Sequence, residues 1–368
     1  MYISRRQFLK YCTIAAGALG LTATDLFKLE KALASAGGLP VNWIAGQACT
    51  GCTTSLANAV QTVTIEQLLL GVPGWPGAFA AGTTGSVVGA DGLTLELMET
   101  LSAATGDNLP AQVYTGGPFV LAVEGAIPAT AANTPNDGYC TIGSYSGAAS
   151  ENVGDVVSML AHHANCYAIL AIGQCASFGG VPGASGNVTG ARGVIDYLAN
   201  PAMKAKTINL PGCPPSPEWV VTAVVAVLTS KFGSFPTLDN TNRPMAIYGK
   251  RTCNTCYRYP QAGQGHFVNP LLGNQLGDPT INHCNGTEIP VFDTANNMWS
   301  NPDTAAYCLR RAGCRGQRVQ SNCGTMKWNS DSTGFGTGVN WCVGAGAGCQ
   351  GCSQKGFPDA FSPFWTLK

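Results

Sequence analysis

The placement of sulfur, late in the chain and on a glycine-rich backbone, restricts this sequence more than any other feature. Of its 16 cysteines, Cys253, Cys256, Cys284, Cys308, Cys314, Cys323, Cys342, Cys349 and Cys352 follow Pro236, where apolar periodicity fades and Gly, Asn, Pro and Thr take over. A segment of that composition cannot close a core on side chains alone, so its cohesion has to come from covalent or metal bonds. The spacings are Cys253-x2-Cys256, Cys308-x5-Cys314, and a last group of Cys323, Cys342, Cys349 and Cys352 in SNCGTMKWN and NWCVGAGAGCQGC. Two residues between cysteines let one turn present both sulfurs to one centre. Disulfides, zinc and iron–sulfur clusters all draw on such cysteines. Neighbouring CxxC cysteines make poor structural disulfides, repeated four-cysteine sets exceed what structural zinc calls for, and clusters add electron transfer.

From Leu39 to about Phe235 the logic differs. Short apolar runs, VNWIAG (41–46), FVLAVEG (119–125), YAILAIG (167–173) and TINLPG (207–212), alternate with SLANAVQTVTIEQLLL, ENVGDVVSMLAHHA and SPEWVVTAVVAVLTS, whose apolar residues recur at helical spacing. That alternation predicts an α/β fold with a parallel sheet covered by helices. The third helix carries a start signal, Ser216 as N-cap and Pro217 at its first position. In an open parallel sheet the ligand site lies outside the carboxyl ends of the strands. Cys49 and Cys52 follow the first run, Cys175 the third and Cys213 the fourth, so four thiols are expected on one rim. The glycine run FGGVPGASG after Cys175 lacks both the GK[ST] ending and the G-x-G-x-x-G spacing of phosphate loops. Its small residues fit close backbone approach instead. Cys166 is expected in the core, and His162 and His163 packed or facing solvent on a helix.

The N-terminus reads MYISRRQFLK, then a weakly apolar run and an A-x-A site at Ala32, Leu33 and Ala34, the pattern of a twin-arginine export signal. It predicts a signal peptide over 1–34, Cys12 lost with it, and a mature protein working in the periplasm. Charged residues make up only 11%, against about 25% in an average domain, so a partner subunit is expected to cover part of the surface. Lys plus Arg equals Asp plus Glu, 20 each. No long-range field favours nucleic acid or anionic lipid. The best apolar run, WVVTAVVAVL at 219–228, falls short of the roughly 20 residues of a membrane span.

WIAGQACTGC, VEGAIP, AIGQCASFGGVPGASG, LPGCPPSPEW, AYCLRRAGCRG, SNCGTMKWN and NWCVGAGAGCQGC, in this order, resemble the small, electron-transfer subunit of periplasmic nickel–iron hydrogenases from about residue 40 onward. The ending GFPDAFSPFW is similar to the nickel–iron–selenium branch. The resemblance implies a flavodoxin-like domain over 35–236 and a loop-rich iron–sulfur domain over 237–368. It further implies three 4Fe-4S clusters. Cys49, Cys52, Cys175 and Cys213 would hold the proximal one, and Cys323, Cys342, Cys349 and Cys352 the medial one. Many relatives carry proline in place of Cys342 and a three-iron centre there, so Cys342 predicts four irons. The distal cluster of the family usually has a histidine where this chain has Cys253, which suggests an all-cysteine set of Cys253, Cys256, Cys308 and Cys314. An insertion over 261–303 carries His266, His283 and Cys284. Gly51 stands where oxygen-tolerant relatives have an extra cysteine, so an ordinary proximal cluster and a free Cys140 thiol follow. The partners implied are a large subunit holding the nickel–iron centre and an external acceptor such as a cytochrome c. Lys250, Arg251, Arg258, Arg310, Arg311 and Arg315 near the distal ligands would face that acceptor or merely solvent. A related quinone-reductase subunit shares the proximal domain but lacks the other two cysteine sets.

Overall fold

The computed structural model describes residues 41–59, 79–81, 87–89, 95–98, 118–129, 139–142, 151–230, 236–256, 292–293, 298–299, 314–327 and 341–362. The export signal with Cys12, the ligand candidate Cys308, and Cys284, His266, His283, Arg258, Arg310 and Arg311 lie outside the described residues.

Five strands form one sheet: β1 (Val41–Ala45), β2 (Leu95–Met98), β3 (Phe119–Glu124), β4 (Cys166–Ile172) and β5 (Thr207–Leu210). Their order is β2-β1-β3-β4-β5, and every pairing is parallel. The parallel sheet is the one the alternation of strand and helix patterns predicts, and its doubly wound order is that of flavodoxin-like folds, the type the resemblance implies. β2 was not among the expected strands. It has four residues at the sheet edge, too short for alternation to speak in the sequence.

Successive side chains of a strand point to opposite faces, and the two faces bury different partners. On one side Val41, Trp43, Val120, Ala122, Leu170 and Ile172 pack against Leu56, Trp219, Val220 and Val227. On the other, Ile44, Phe119, Leu121, Val123, Ile169 and Ala171 pack against Val153, Val157 and Leu160. Near-continuous apolar runs are what a sheet covered on both faces requires. The helices are α1 (Gly51–Ala57), α2 (Val153–His162), α3 (Gly173–Phe178), α4 (Val194–Leu198), α5 (Pro201–Ala205) and α6 (Pro217–Ser230). Pro217 does open α6, while the Ser216 hydroxyl donates to the Lys327 carbonyl at 3.3 Å. Cys166 is buried in the core at the start of β4. His162 is exposed, and the His163 ring lies against Phe119, as expected of packed or solvent-facing histidines.

Beyond the sheet the chain closes on small clusters. Trp341 and Val343 pack with Cys256, Cys314, Cys323 and Cys349; Val319, Phe357 and Phe361 pack with Cys349 and Cys352. Cysteine thus supplies much of the apolar contact in this part. Among the described residues no helix is long and apolar enough to cross a membrane.

Candidate metal centres

Each rim thiol is delivered by a turn at the carboxyl end of a strand. β1 runs through Gly46 to Cys49, and α1 begins at Gly51, so Cys52 sits in its first turn. The helix therefore starts inside the CxxC motif, earlier than the apolar pattern suggests. β4 turns at Gly173, with φ of 90°, directly into α3, whose first turn holds Cys175. β5 ends three residues before Cys213.

These four thiols act on one another. Burial pushes the Cys52 thiol far up, reinforced by the charge of Glu124 and then by Cys175, Cys49 and Cys213. Burial likewise pushes Cys175 up to about 11, with Cys213, Cys49 and Glu124 adding to it against a Val181 backbone hydrogen bond. Cys213 is raised by burial and by Cys49 as well, and three neighbouring thiols that resist ionisation call for cationic charge among them, because only thiolates ligate metal. Glycine clears the space around the sulfurs. A Cβ on Gly173 would meet Cys52 Sγ at 2.5 Å, one on Gly180 would meet Cys175 Sγ at 2.7 Å, and one on Gly51 would meet Cys49 Sγ at 3.1 Å. Cys49 and Cys213 are exposed while Cys52 is buried, so the set opens outward from the rim.

Glu124, the last residue of β3, was not singled out in the sequence. It is 1% exposed and accepts from Trp43 Nε1 at 3.2 Å, from the Cys52 N–H at 3.1 Å and from the Thr53 N–H at 3.2 Å. The Thr53 hydroxyl donates to it as well. The carboxylate thus pins the first turn of α1 and fixes where Cys52 points. Its signal in the sequence is a lone acid ending an otherwise apolar strand, since an ionised group is buried only with partners.

A second set lies beside the first. Burial pushes Cys323 up to about 11; the Ser321 hydroxyl lowers it and the Cys342 thiol raises it. Ser321 Oγ donates to Cys323 Sγ at 3.2 Å. Cys352 is raised by burial and by Cys323 and Cys342, while the Cys213 backbone N–H lowers it. Cys349 is raised by burial, then by Cys314, Cys352 and Cys323. Cys323, Cys342, Cys349 and Cys352 therefore gather, and Cys352 stands against the rim through Cys213.

Of the third candidate set, Cys253 and Cys314 flank one glycine. A Cβ on Gly316 would meet Cys253 Sγ at 3.2 Å and Cys314 Sγ at 3.7 Å. Cys253 lies in the short helix Thr252–Thr255, and Cys256 joins Cys314 around Trp341 and Val343. The Cys349 N–H donates to Cys314 Sγ at 3.2 Å, linking this set to the second. Cys308, its fourth expected member, lies outside the described residues.

Cys49, Cys52, Cys175 and Cys213 of the rim and Cys323, Cys342, Cys349 and Cys352 of the second set form no disulfide. Among the described residues no group of three or more His, Cys, Asp and Glu is gathered so as to hold a single metal ion; a polynuclear cluster separates its thiolates more widely than one zinc, with bonds of about 2.3 Å, would. Sulfur-only donor sets, glycine clearances at sulfur and N–H or O–H donors aimed at sulfur are the surroundings iron–sulfur clusters take, and the residues present fit that group.

A parallel α/β domain with thiol sets at its rim and in its loop-rich tail defines a carrier of cysteine-held clusters. Two family models match. One is NADH ubiquinone oxidoreductase, 20 Kd subunit, over residues 49–227. The other is the C-terminal region of the NiFe/NiFeSe hydrogenase small subunit, over 278–365. The periplasmic NiFeSe hydrogenase small subunit of Desulfomicrobium baculatum is 30% identical over 100% of both chains. The periplasmic NiFe hydrogenase small subunit 1 of Nitratidesulfovibrio vulgaris is 31% identical over 99% of this chain and 93% of its own. The solved structure of H2-activated NiFeSe hydrogenase from Dm. baculatum matches with a TM-score of 0.59 at 28% identity, covering 90% of this chain and 100% of that one. The chain belongs to the small-subunit family of NiFe hydrogenases, oxidoreductases that act on H2. The tail match separates it from the quinone-reductase subunit that shares the first domain.

Proposed function

We propose that this chain is the electron-transfer subunit of a periplasmic nickel–iron hydrogenase, pairing with a large subunit that holds the nickel–iron centre. Three 4Fe-4S clusters are assigned: proximal on Cys49, Cys52, Cys175 and Cys213, medial on Cys323, Cys342, Cys349 and Cys352, distal on Cys253, Cys256, Cys308 and Cys314. Bound clusters supply one-electron storage and transfer. The carrying observation is continuity: the Cys213 backbone N–H acts on Cys352, and the Cys349 N–H reaches Cys314. Each thiol set thus touches the next.

The chain's own residues bind and orient. Glu124 holds the Cys52 turn, Ser321 donates to Cys323, and the glycines at 51, 173 and 180 admit a bulky group against the sulfurs. The exposure of Cys49 and Cys213 supports a proximal set lying where a covering large subunit would sit, as does the low overall charge. An external one-electron acceptor, a cytochrome c, would take electrons at the distal end. Residues 1–34 would direct export by the twin-arginine route, followed by the domains at 35–236 and 237–368.

Anaerobic co-purification with the large subunit, followed by iron and sulfide analysis, is the test. The expected result is about twelve irons per small subunit, from three four-iron clusters. Zinc, or no metal, in the purified heterodimer would overturn the reading.

A further inference from the structure

Arg243 is 2% exposed, and its guanidinium spans from the segment after the sheet to the cysteine loops. Nε donates to Asp239 Oδ2 at 2.8 Å. Nη1 donates to the Ser353 carbonyl at 2.9 Å and to Gln354 Oε1 at 3.0 Å. Nη2 donates to Gln320 Oε1 at 2.5 Å. Cζ lies 5.2 Å from the centre of the Tyr248 ring, and Cys323 packs against the core cluster to which Tyr248 belongs. Ser353 directly follows Cys352, and Gln320 lies just before Cys323 in the chain, so the cation is tied to both flanks of the second thiol set.

Its counter-ion stands on the wetter side, with the Asp239 side chain 12% exposed against 2% for Arg243. The Asp239 carboxylate also accepts from the Thr241 N–H and hydroxyl and from the Arg243 N–H. At the Tyr248 hydroxyl the charge of Arg243 acts more strongly than that of Asp239. The pair is therefore an oriented dipole whose positive end, through Nη1 and Nη2, is bonded to Ser353 and Gln320, which flank Cys352 and Cys323 in the chain. A guanidinium keeps its charge at all working pH values, and a field in a buried site is screened little.

We propose that the Arg243–Asp239 pair, with its guanidinium buried, raises the reduction potential of the centre held by Cys323, Cys342, Cys349 and Cys352. The inference rests on the medial assignment above. Each reduction places one added electron on that centre, received from the proximal side and passed on singly to the distal side; two such passages accompany H2 → 2H⁺ + 2e⁻. No proton moves on the pair, since Arg243 stays protonated and Asp239 ionised. A fixed cation favours the more negative, reduced state, because net charge and burial set cluster potentials.

The test is an EPR-monitored redox titration of the anaerobically purified heterodimer, with iron counted in the same samples. Asp239→Asn leaves the cation uncompensated and should move the medial midpoint to higher potential. Arg243→Met leaves the carboxylate alone and should move it lower. The double variant should return between the two, and Arg243→Lys should stay near the wild type. A merely structural tie would loosen the site in every variant without opposite signs. If Arg243→Met fails to assemble, Asp239→Asn decides: a medial midpoint unchanged or lowered, with iron intact, overturns the inference. Wild-type heterodimer lacking the medial irons would instead overturn the assignment on which it rests.

Discussion

Cys342 shows how much one side chain decides. It is exposed, its thiol acts on Cys323 and Cys352, and its carbonyl accepts from the Ala347 N–H at 2.8 Å. Proline there would remove one sulfur and leave that acceptor. Cys342→Pro is expected to convert the medial centre to three irons, read as a new paramagnetic signal in the air-oxidised protein; an unaltered cluster type would refute the ligand assignment. The role expected for it comes from the family resemblance, in which many relatives carry proline at that position. Glu124 is the opposite case. A lone acid ending an apolar strand marks it as a buried candidate, but only the approach of Trp43 and Thr53 to its carboxylate shows that it organises the Cys52 turn. Arg243 is silent in the sequence because its partners in the cysteine loops lie 77 to 111 residues away.

At the scale of elements, the strand–turn–helix joints carry the chemistry. Gly173 joins β4 to α3 with a positive φ of 90°, and a Cβ there would strike Cys52 Sγ. Gly173→Ala is therefore expected to cost about 1–3 kcal/mol through overpacking and to lose about four irons per chain, the content of one cluster. Gly186, with φ of 86° and nothing within 4 Å of an added Cβ, provides the comparison. Gly186→Ala should show backbone strain of about 1 kcal/mol in a thermal melt yet retain its iron, whereas equal iron loss in both variants would show that crowding at sulfur is not the cause. The strands β1, β3, β4 and β5 were readable because burial on both faces leaves uninterrupted apolar runs. The early start of α1 was not, since it depends on Glu124 holding the Cys52 and Thr53 N–H groups of its first turn rather than on apolar spacing.

For the whole molecule, the division of labour between the two parts is thermodynamic. The sheet buries two extended apolar layers, enough to hold a fold without metal. Among its described residues the tail buries only Trp341, Val343, Val319, Phe357 and Phe361 in its own clusters, and the proposed cluster ligation would supply the rest of its cohesion. Removing iron from the purified protein with a chelator is expected to open residues 314–327 and 341–362 to protease while 151–230 stays resistant. Protection of both parts after iron loss would show that side-chain packing alone sustains the tail.

The sequence by itself determined the sulfur inventory, the α/β class and the four rim thiols, because periodicity and the strand-end rule are local properties of a chain. Tertiary structure alone decided that Cys213 comes beside Cys352, that the Cys349 N–H meets Cys314, and that Glu124 and Arg243 stand behind the candidate thiols. A CxxC motif fixes two ligands through one turn, but the partners that complete and tune a centre are brought from far along the chain by the path of the backbone, which no local pattern records.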